Sequence, residues 1–481
     1  METEVTEKDA NLSQRPLDVL ILAAGLGTRM KSNAAKVLHK LGGRPLIAHV
    51  CRTAASLDPR HIYVVVGHQA ETVREAVLQE LSSDRVTFVW QREQLGTGHA
   101  VNSAREFLQN ENSNLLVLSG DVPMIRAETL AALVQQHRTH RGRGAACTIL
   151  TVKLEDPSGY GRVVRNDLGF EKIIEQKDAT EDERRIKEVN SGIYCFETEL
   201  LFKALARVRN DNKQHEYYLT DVPRIMREDG ESVSLYLHHD VREVSGINNR
   251  EELAELEKVL RKRINSRLMR DYGVTIIDPK HTYISEDAKI GRDTIIYPNV
   301  TIEGKAEIGD GCEIRSGTRL NNARIGRNVV VLDNCVISDS IVSDNCSVGP
   351  FAHLRNDAQM EENARIGNFV EMKKTILGKN SKASHLTYLG DAEIGEDTNI
   401  GAGTITCNFD GKNKHQTKIG KNVRIGSDTM LVAPVEVGDG AATGAGSVVT
   451  RDVPPDTLVA GVPAKIKKNL IQNEETKTAD A

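Results

Sequence analysis

No run of apolar residues in this chain approaches the roughly 20 needed to cross a bilayer. The stretch from Met1 to Gln14 is polar and acidic, without the apolar centre of a signal peptide. Charge of one sign is not in excess either. The 63 basic and 68 acidic residues are well mixed and leave a formal charge of −5, which argues against a dedicated nucleic-acid binder. Cysteine is sparse. Its seven copies (Cys51, Cys147, Cys195, Cys312, Cys335, Cys346 and Cys407) are odd in number and scattered, with no CxxC pair, so neither a disulfide framework nor a zinc site is expected. Reduced, mostly buried thiols in a cytoplasmic protein are the expectation.

What is present is a six-residue beat. Aliphatic residues fall at Ile284, Ile290, Ile296, Ile302, Ile308, Ile314 and Leu320, again at Val348, Leu354, Met360, Ile366 and Met372, and again at Ile394, Ile400, Ile419, Ile425, Leu431 and Val437. Neither a helix nor an ordinary strand pair has this period, whereas a β-helix of hexapeptides does. Each flat face then supplies one inward aliphatic, and stacked coils bury them in a column. The beat breaks between Met372 and Ile394 and again after Ile405, where Cys407 to Lys414 intervene. Both breaks are expected to be loops ejected onto a binding face.

At 481 residues the chain has room for a second domain. Aliphatic runs at 19–22, 63–66 and 115–118 lack polar alternation and read as buried parallel strands. Amphipathic stretches at 46–57 and 72–81 separate them, as βαβ crossovers require. Ligands gather at the carboxyl ends of such strands. There stand Ala23-Ala24-Gly25-Leu26-Gly27-Thr28-Arg29 with Lys36 beyond, and Ser119-Gly120-Asp121. Gly25 and Gly27 let backbone N–H groups approach phosphate oxygens, and Arg29 and Lys36 add positive charge. The loop is neither a Walker motif nor a complete GxGxxG, because Met30 takes the last glycine place. Asp121 reads either as a turn cap or as a metal ligand. Between the two halves, Leu253, Leu256, Leu260, Ile264 and Leu268 mark one amphipathic helix over 249–271, with Gly273 as its cap.

Residues 22–36 resemble the signature of sugar-phosphate nucleotidyltransferases. Further segments sharpen the match: Gln91-Arg92-Glu93-Gln94-Leu95-Gly96-Thr97-Gly98-His99, Gly159-Tyr160-Gly161-Arg162, Glu175-Gln176-Lys177, Glu188-Val189-Asn190-Ser191-Gly192 and Gly246-Ile247-Asn248-Asn249-Arg250. In this order, over about 17–453, they resemble the bacterial bifunctional N-acetylglucosamine-1-phosphate uridyltransferase/glucosamine-1-phosphate N-acetyltransferase family. The resemblance implies an α/β nucleotidyltransferase domain (Rossmann-like, mostly parallel sheet) joined by a helical linker to a left-handed parallel β-helix. The expected division is a disordered extension to residue 16, a uridyltransferase domain over 17–249, a linker over 250–272, an acetyltransferase β-helix over 273–464 and a polar tail over 465–481. It also implies UDP-N-acetylglucosamine biosynthesis from glucosamine-1-phosphate, acetyl-CoA, N-acetylglucosamine-1-phosphate and UTP, and a homotrimer with no nucleic-acid or membrane partner.

Residue by residue, the resemblance implies that Leu22, Ala23, Ala24, Gly25, Gln91, Gly96, Thr97, Ser119 and Gly120 help hold UTP. Gly161, Glu175 and Asn190 hold the sugar, Asp121 and Asn248 bind Mg²⁺, and Arg29 and Lys36 assist catalysis. In the second half it implies His385 as general base, with Arg355, Lys373, Tyr388 and Asn399 on glucosamine-1-phosphate. Ala402, Asn408, Phe409, Ser427 and Ala445 fall at acetyl-CoA positions. Ala35, Phe409 and the stretch after Gly461 depart from the family pattern, which more often has proline, tyrosine and an arginine there. Cys407 reads as packing rather than nucleophile. Two alternatives compete: a single-activity nucleotidyltransferase with a structural or regulatory coil, and an assembly subunit with a degenerate nucleotide fold. The His385, Tyr388 and Asn399 group speaks against the first; Arg29, Lys36, Asp121 and Asn248 speak against the second.

Overall fold

The computed structural model describes residues 15–470, apart from positions 26, 110 and 168. The chain divides into two compact units, Met1–Val259 and Leu260–Ala481.

The first unit is built on one mixed sheet. Its strands are β1 (Leu17–Leu22), β2 (His61–Val66), β3 (Val86–Trp90), β4 (Asn114–Ser119), β5 (Cys147–Lys153), β6 (Arg162–Asn166), β7 (Gly169–Ile174), β8 (Glu188–Glu197) and β9 (Val233–His238). The order across the sheet is β9-β5-β8-β4-β1-β2-β3, with the β6–β7 hairpin hung on β8. Only β8 runs against its neighbours β4 and β5 in that order; β4, β1, β2 and β3 are mutually parallel. Both faces are covered. Val19, Ile21, Val64 and Leu116 enter one apolar cluster, whereas Leu20, Val65, Leu115 and Val117 enter the other. That is why these strands read as unbroken aliphatic runs. Helices Leu46–Ala55 and Ala70–Leu78 occupy the expected amphipathic stretches. The chain leaves β1 towards β2 on one side, while β4 lies on the other, so the carboxyl ends of β1 and β4 form a topological switch point.

The second unit is a left-handed parallel β-helix of three flat sheets with twelve, ten and nine strands. Every aliphatic of the six-residue beat points inward and is at most 6% exposed. Corners are turned by residues in the left-handed region, where asparagine and aspartate are the best tolerated side chains after glycine. Asn328, Asn345, Asn363, Asn380 and Asp397 have φ between 54° and 62°. Their amides stack along one edge: Asn363 Nδ2 donates to Asn380 Oδ1 at 3.1 Å, and Asn380 Nδ2 to Asp397 Oδ1 at 3.0 Å.

One expectation is corrected. The break between Met372 and Ile394 is not an ejected loop. Strands Ile376–Leu377, Lys382–His385 and Tyr388–Gly390 continue the coil, with Leu377, Ala383 and Leu389 inward. The beat slips because two of the four steps, Met372 to Leu377 and Leu389 to Ile394, take five residues instead of six, and because Ala383 is too small to stand out as an inward position. The second break is a true loop, flanked by Ile405–Cys407 and Thr417–Ile419. At the carboxyl end, Lys465–Asn469, at the start of the expected polar tail, is an extended strand. It pairs antiparallel with Thr457–Ala460 and closes the last coil. Positions 471–481 lie outside the described residues. So does the expected amino-terminal extension, save Arg15 and Pro16, which are tied down by an Arg15–Glu197 ion pair of 2.8 Å and by the Asn114 N–H on Pro16 O at 2.9 Å.

Helix Arg250–Asp271 occupies the expected amphipathic stretch, with Leu256, Leu260, Ile264 and Leu268 buried and Gly273 at φ +69° beyond its end.

Candidate active sites

In the first unit the loops after β1 and β4 meet the segment before helix Arg250–Asp271. Asp121 follows β4, and its backbone oxygen accepts the Ile247 N–H at 3.1 Å, which brings Asn248 alongside. Lys36 Nζ lies between them, paired to Asp121 Oδ2 and donating to Asn248 Oδ1 at 3.0 Å. Arg29 Nη2 donates to the same Asn248 oxygen at 2.8 Å. Ser119 Oγ donates to the other Asp121 oxygen at 2.7 Å. Gly27 has φ +62°, and a methyl group there would collide with Lys36 Cβ, so this glycine allows the lysine stem to lie against the loop. Gly25 faces open space.

Other expected residues surround this centre. Gly120 N–H donates to Leu22 O and Ala23 N–H to Val65 O, both at 2.9 Å, locking the end of β1 to those of β4 and β2. Ala24 is buried beside them. Gln91 is buried and its amide donates to Gly96 O at 3.3 Å and to His99 Nδ1 at 3.0 Å. Gly96 and Thr97 open helix Thr97–Asn102, and Thr97 Oγ1 accepts the Leu219 N–H at 3.1 Å. Gly161 packs on Glu175 and accepts the Asn190 N–H at 2.9 Å, so the three expected sugar residues form one group. Burial pushes the Glu175 carboxyl above its ordinary range, while a Thr220 hydroxyl donating at 3.3 Å opposes the shift. A cavity of about 820 Å³ is lined by Glu175, Asp221 and Arg224 among others, and Asp121 is not part of its lining.

In the second unit the coil register assembles a cationic patch. Arg355 is in register with Lys373, and Lys373 with Gly390; His353, Glu371 and Tyr388 run alongside. Arg355 is braced by Glu371 at 2.6 Å. Lys373 is only 7% exposed and its nearest carboxylate is Asp391, at 3.9 Å. Asp391 also accepts from Asn408 Nδ2 at 2.5 Å, which ties the ejected loop to the patch. From that loop Lys414 approaches Lys373, and the side-chain hydrogen bond with that ammonium, then its like charge, push the Lys414 ammonium down. Phe409, bridged to Lys414 across the loop, is exposed. His385 ends strand Lys382–His385, with Nδ1 at 2.6 Å from Asn368 Oδ1.

The small residues expected at acetyl-CoA positions share a corner with His385. Ala383 pairs with Ile400 and Ile400 with Ile425, so His385, Ala402 and Ser427 follow one another down successive coils. The Asp428 N–H donates to Ala402 O at 2.7 Å and the Gly446 N–H to Ser427 O at 2.8 Å, extending the column past Ala445. Asn399 does not join His385. It is in register with Lys382, at the other end of the strand, about 10 Å along from the His385 row.

Residues 18–243 match the nucleotidyl transferase family, residues 277–360 the GMPPB C-terminal domain, and residues 416–451 the bacterial transferase hexapeptide (six repeats). The chain is 49% identical over 451 residues to a bifunctional protein GlmU of Shouchella clausii, an alignment covering 94% of this chain and 97% of that one. It is 48% identical over 454 residues to a GlmU of Heliobacterium modesticaldum, with 94% and 97% covered. The chain belongs to the bifunctional GlmU family. It is therefore a transferase with two activities, a uridylyltransferase in the first unit and an acetyltransferase in the hexapeptide unit. A solved UDP-glucose pyrophosphorylase complexed with UDP-glucose matches 52% of this chain and 99% of its own at 17% identity, with a TM-score of 0.40, too low to carry an argument.

Four residues of these GlmU-type sites escape a reading by sequence. Glu252 Oε2 accepts the Asn248 N–H at 2.7 Å, while Asn249 caps the helix by accepting the Glu252 N–H at 2.9 Å and donating its amide to Glu252 Oε1 at 2.7 Å. The spacing Asn249 to Glu252 is a helix-start signal that would have found it. Glu371, Asp391 and Asn368 brace Arg355, Lys373 and His385 from one coil away, and only a known coil length reveals them.

Proposed function

We propose that the first unit transfers UMP from UTP to N-acetylglucosamine-1-phosphate through Arg29, Lys36, Asp121 and Asn248. In the same reading the second unit acetylates glucosamine-1-phosphate with acetyl-CoA through His385. The observation that carries the first assignment is the convergence of Asp121 Oδ2 and Asn248 Oδ1 on one cationic point, held by the Lys36 ammonium. Two oxygens that share one cation fit a divalent ion, so Asp121 and Asn248 would hold Mg²⁺ with phosphate oxygens and water completing its shell. The ion would supply charge neutralisation on the phosphates. Lys36, released from its carboxylate, and Arg29 then face the phosphoryl oxygens. Gln91, Gly96 and Thr97 orient the uridine, and the Glu175 carboxylate accepts from a sugar hydroxyl, with Gly161 and Asn190 beside it. Catalysis rests on alignment of the attacking sugar phosphate in line with the leaving pyrophosphate.

In the second unit Arg355, Lys373 and Tyr388 take the sugar phosphate. An aminosugar arrives as an ammonium, and His385 accepts its proton so that nitrogen can add to the thioester carbon. As the carbon–sulfur bond breaks, the departing sulfur takes the proton from the imidazolium, and the freed imidazole takes the second proton from the new amide nitrogen and passes it to solvent. Backbone N–H groups near Ala402 face the developing oxyanion, and the column Ala402, Ser427, Ala445 leaves room for the coenzyme arm, flanked by Asn408 and Phe409. The separation of Asn399 from His385 within one chain supports a site completed by a neighbouring copy in a homotrimer. Seven cysteines without a disulfide, six of them buried, suit a cytoplasmic location.

The test is reciprocal. His385→Ala should abolish thiol release from acetyl-CoA and leave pyrophosphate release intact, and Asp121→Ala should do the reverse. Loss of both activities in a folded variant refutes the assignment.

A further inference from the structure

The proposed base needs more than an imidazole at the right place. It must present a lone pair to the substrate, and a neutral imidazole has only one, on whichever nitrogen lacks the proton. Asn368 decides which. It ends strand Arg365–Asn368 and is in register with His385, one coil earlier. Its Oδ1 stands 2.6 Å from His385 Nδ1. A carboxamide oxygen can only accept, so Nδ1 carries the hydrogen and the lone pair is on Nε2. Nε2 makes no hydrogen bond among the described residues, and the side chain is exposed at the corner that it shares with Ala402 and Ser427.

We propose that Asn368 is a positioning residue for acetyl transfer. It fixes the His385 tautomer and ring orientation. The inference rests on His385 being the base. The choice of an amide over a carboxylate has a physical meaning. Aspartate would hold the same hydrogen but would also stabilise the imidazolium, so the base would already be protonated at a higher pH. A neutral acceptor orients the ring without that effect. The ring's backbone is fixed independently, because Thr387 Oγ1 donates to His385 O at 2.7 Å. What remains for Asn368 is the side-chain torsion and the tautomer.

Two variants separate this role from a structural one. In Asn368→Leu the ring loses its acceptor while the volume is nearly kept; kcat for thiol release should fall about tenfold or more, with KM for both substrates unchanged. In Asn368→Asp the acid limb of the kcat/KM profile should move up by about one pH unit or more. The ionisable groups on the strands packed around His385 are Arg365, Lys382, Glu371, Lys373 and Tyr388, and they are the same in both variants, so the difference reports position 368. Pyrophosphate release, measured on the same preparations, should stay at the wild-type rate and certify folding. The inference requires both results: an unchanged kcat in Asn368→Leu, or an unmoved acid limb in Asn368→Asp, overturns it. If His385→Ala itself retains acetyl transfer, the functional reading fails instead. If His385→Ala is inactive while both Asn368 variants behave as wild type, only the positioning role fails.

Discussion

Gly96 is where a single methyl group should separate the two activities most cleanly. Its backbone lies at φ 105°, ψ 175°, a region open in practice only to glycine. Forcing alanine into it costs about 1–3 kcal/mol. A methyl group there would also sit 2.7 Å from Tyr217 O and 3.0 Å from Tyr217 N. Ordinary carbon contacts begin near 3.5 Å, so the Tyr217 backbone has to retreat by roughly 0.5–0.8 Å. That backbone is not free to do so cheaply. Tyr217 N–H donates to Leu95 O at 2.8 Å, and Tyr217 O accepts from Gly98 N–H at 2.7 Å. Weakening both adds about 1–2 kcal/mol, for a total near 3 kcal/mol. For a unit of this size such a loss lowers Tm by roughly 6–12 °C. Gly96→Ala should therefore lower the calorimetric transition of the first unit by that amount, raise KM for UTP and slow pyrophosphate release. Thiol release from acetyl-CoA, and any separate transition of the β-helix, should be unaffected. A variant that kept the wild-type transition temperature and KM for UTP would refute the reasoning.

Two further outcomes are expected. Because burial raises the Glu175 carboxyl, it neutralises at a higher pH than an ordinary carboxylate does. As pH falls through that raised value the group stops accepting from a sugar hydroxyl, so KM for N-acetylglucosamine-1-phosphate should rise. Glu175→Gln should give a higher but pH-independent KM, and a KM that still tracked pH would assign the effect elsewhere. In the β-helix, Ile314 is fully buried in the inward column, and Ile314→Ala should cost about 2–5 kcal/mol of stability, measured by denaturant unfolding; a loss below about 1 kcal/mol would mean that the column is not close-packed.

Much of the β-helix was legible because its signal is local. An aliphatic at every sixth position is buried whatever the neighbouring coils contain, and Ile296, Ile314 and Leu354 are all fully buried. The strands of the first unit were legible for a related reason, since a strand covered on both faces has no polar alternation. The slip between Met372 and Ile394 was not legible, because a five-residue corner looks the same as a broken repeat. Asn368, Glu371 and Asp391 were invisible for the same cause. They brace His385, Arg355 and Lys373 from an adjacent coil, and their partners are given by coil length rather than by nearby residues.

The order of residues alone determined which side chains turn inward and which chemical groups are available, because torsional preference and periodic burial act within a few residues. It determined a glycine loop followed by an arginine and a lysine, and a coil with a histidine beside an irregularity. Only the tertiary structure decided which groups meet. Lys36 and Asn248 are 212 positions apart, and their contact depends on β1 and β4 lying side by side at the switch point. Likewise the amide that orients His385 comes into place only because successive coils stack in register. Such long-range closures follow from packing the whole sheet or coil, and no local stretch of sequence encodes them.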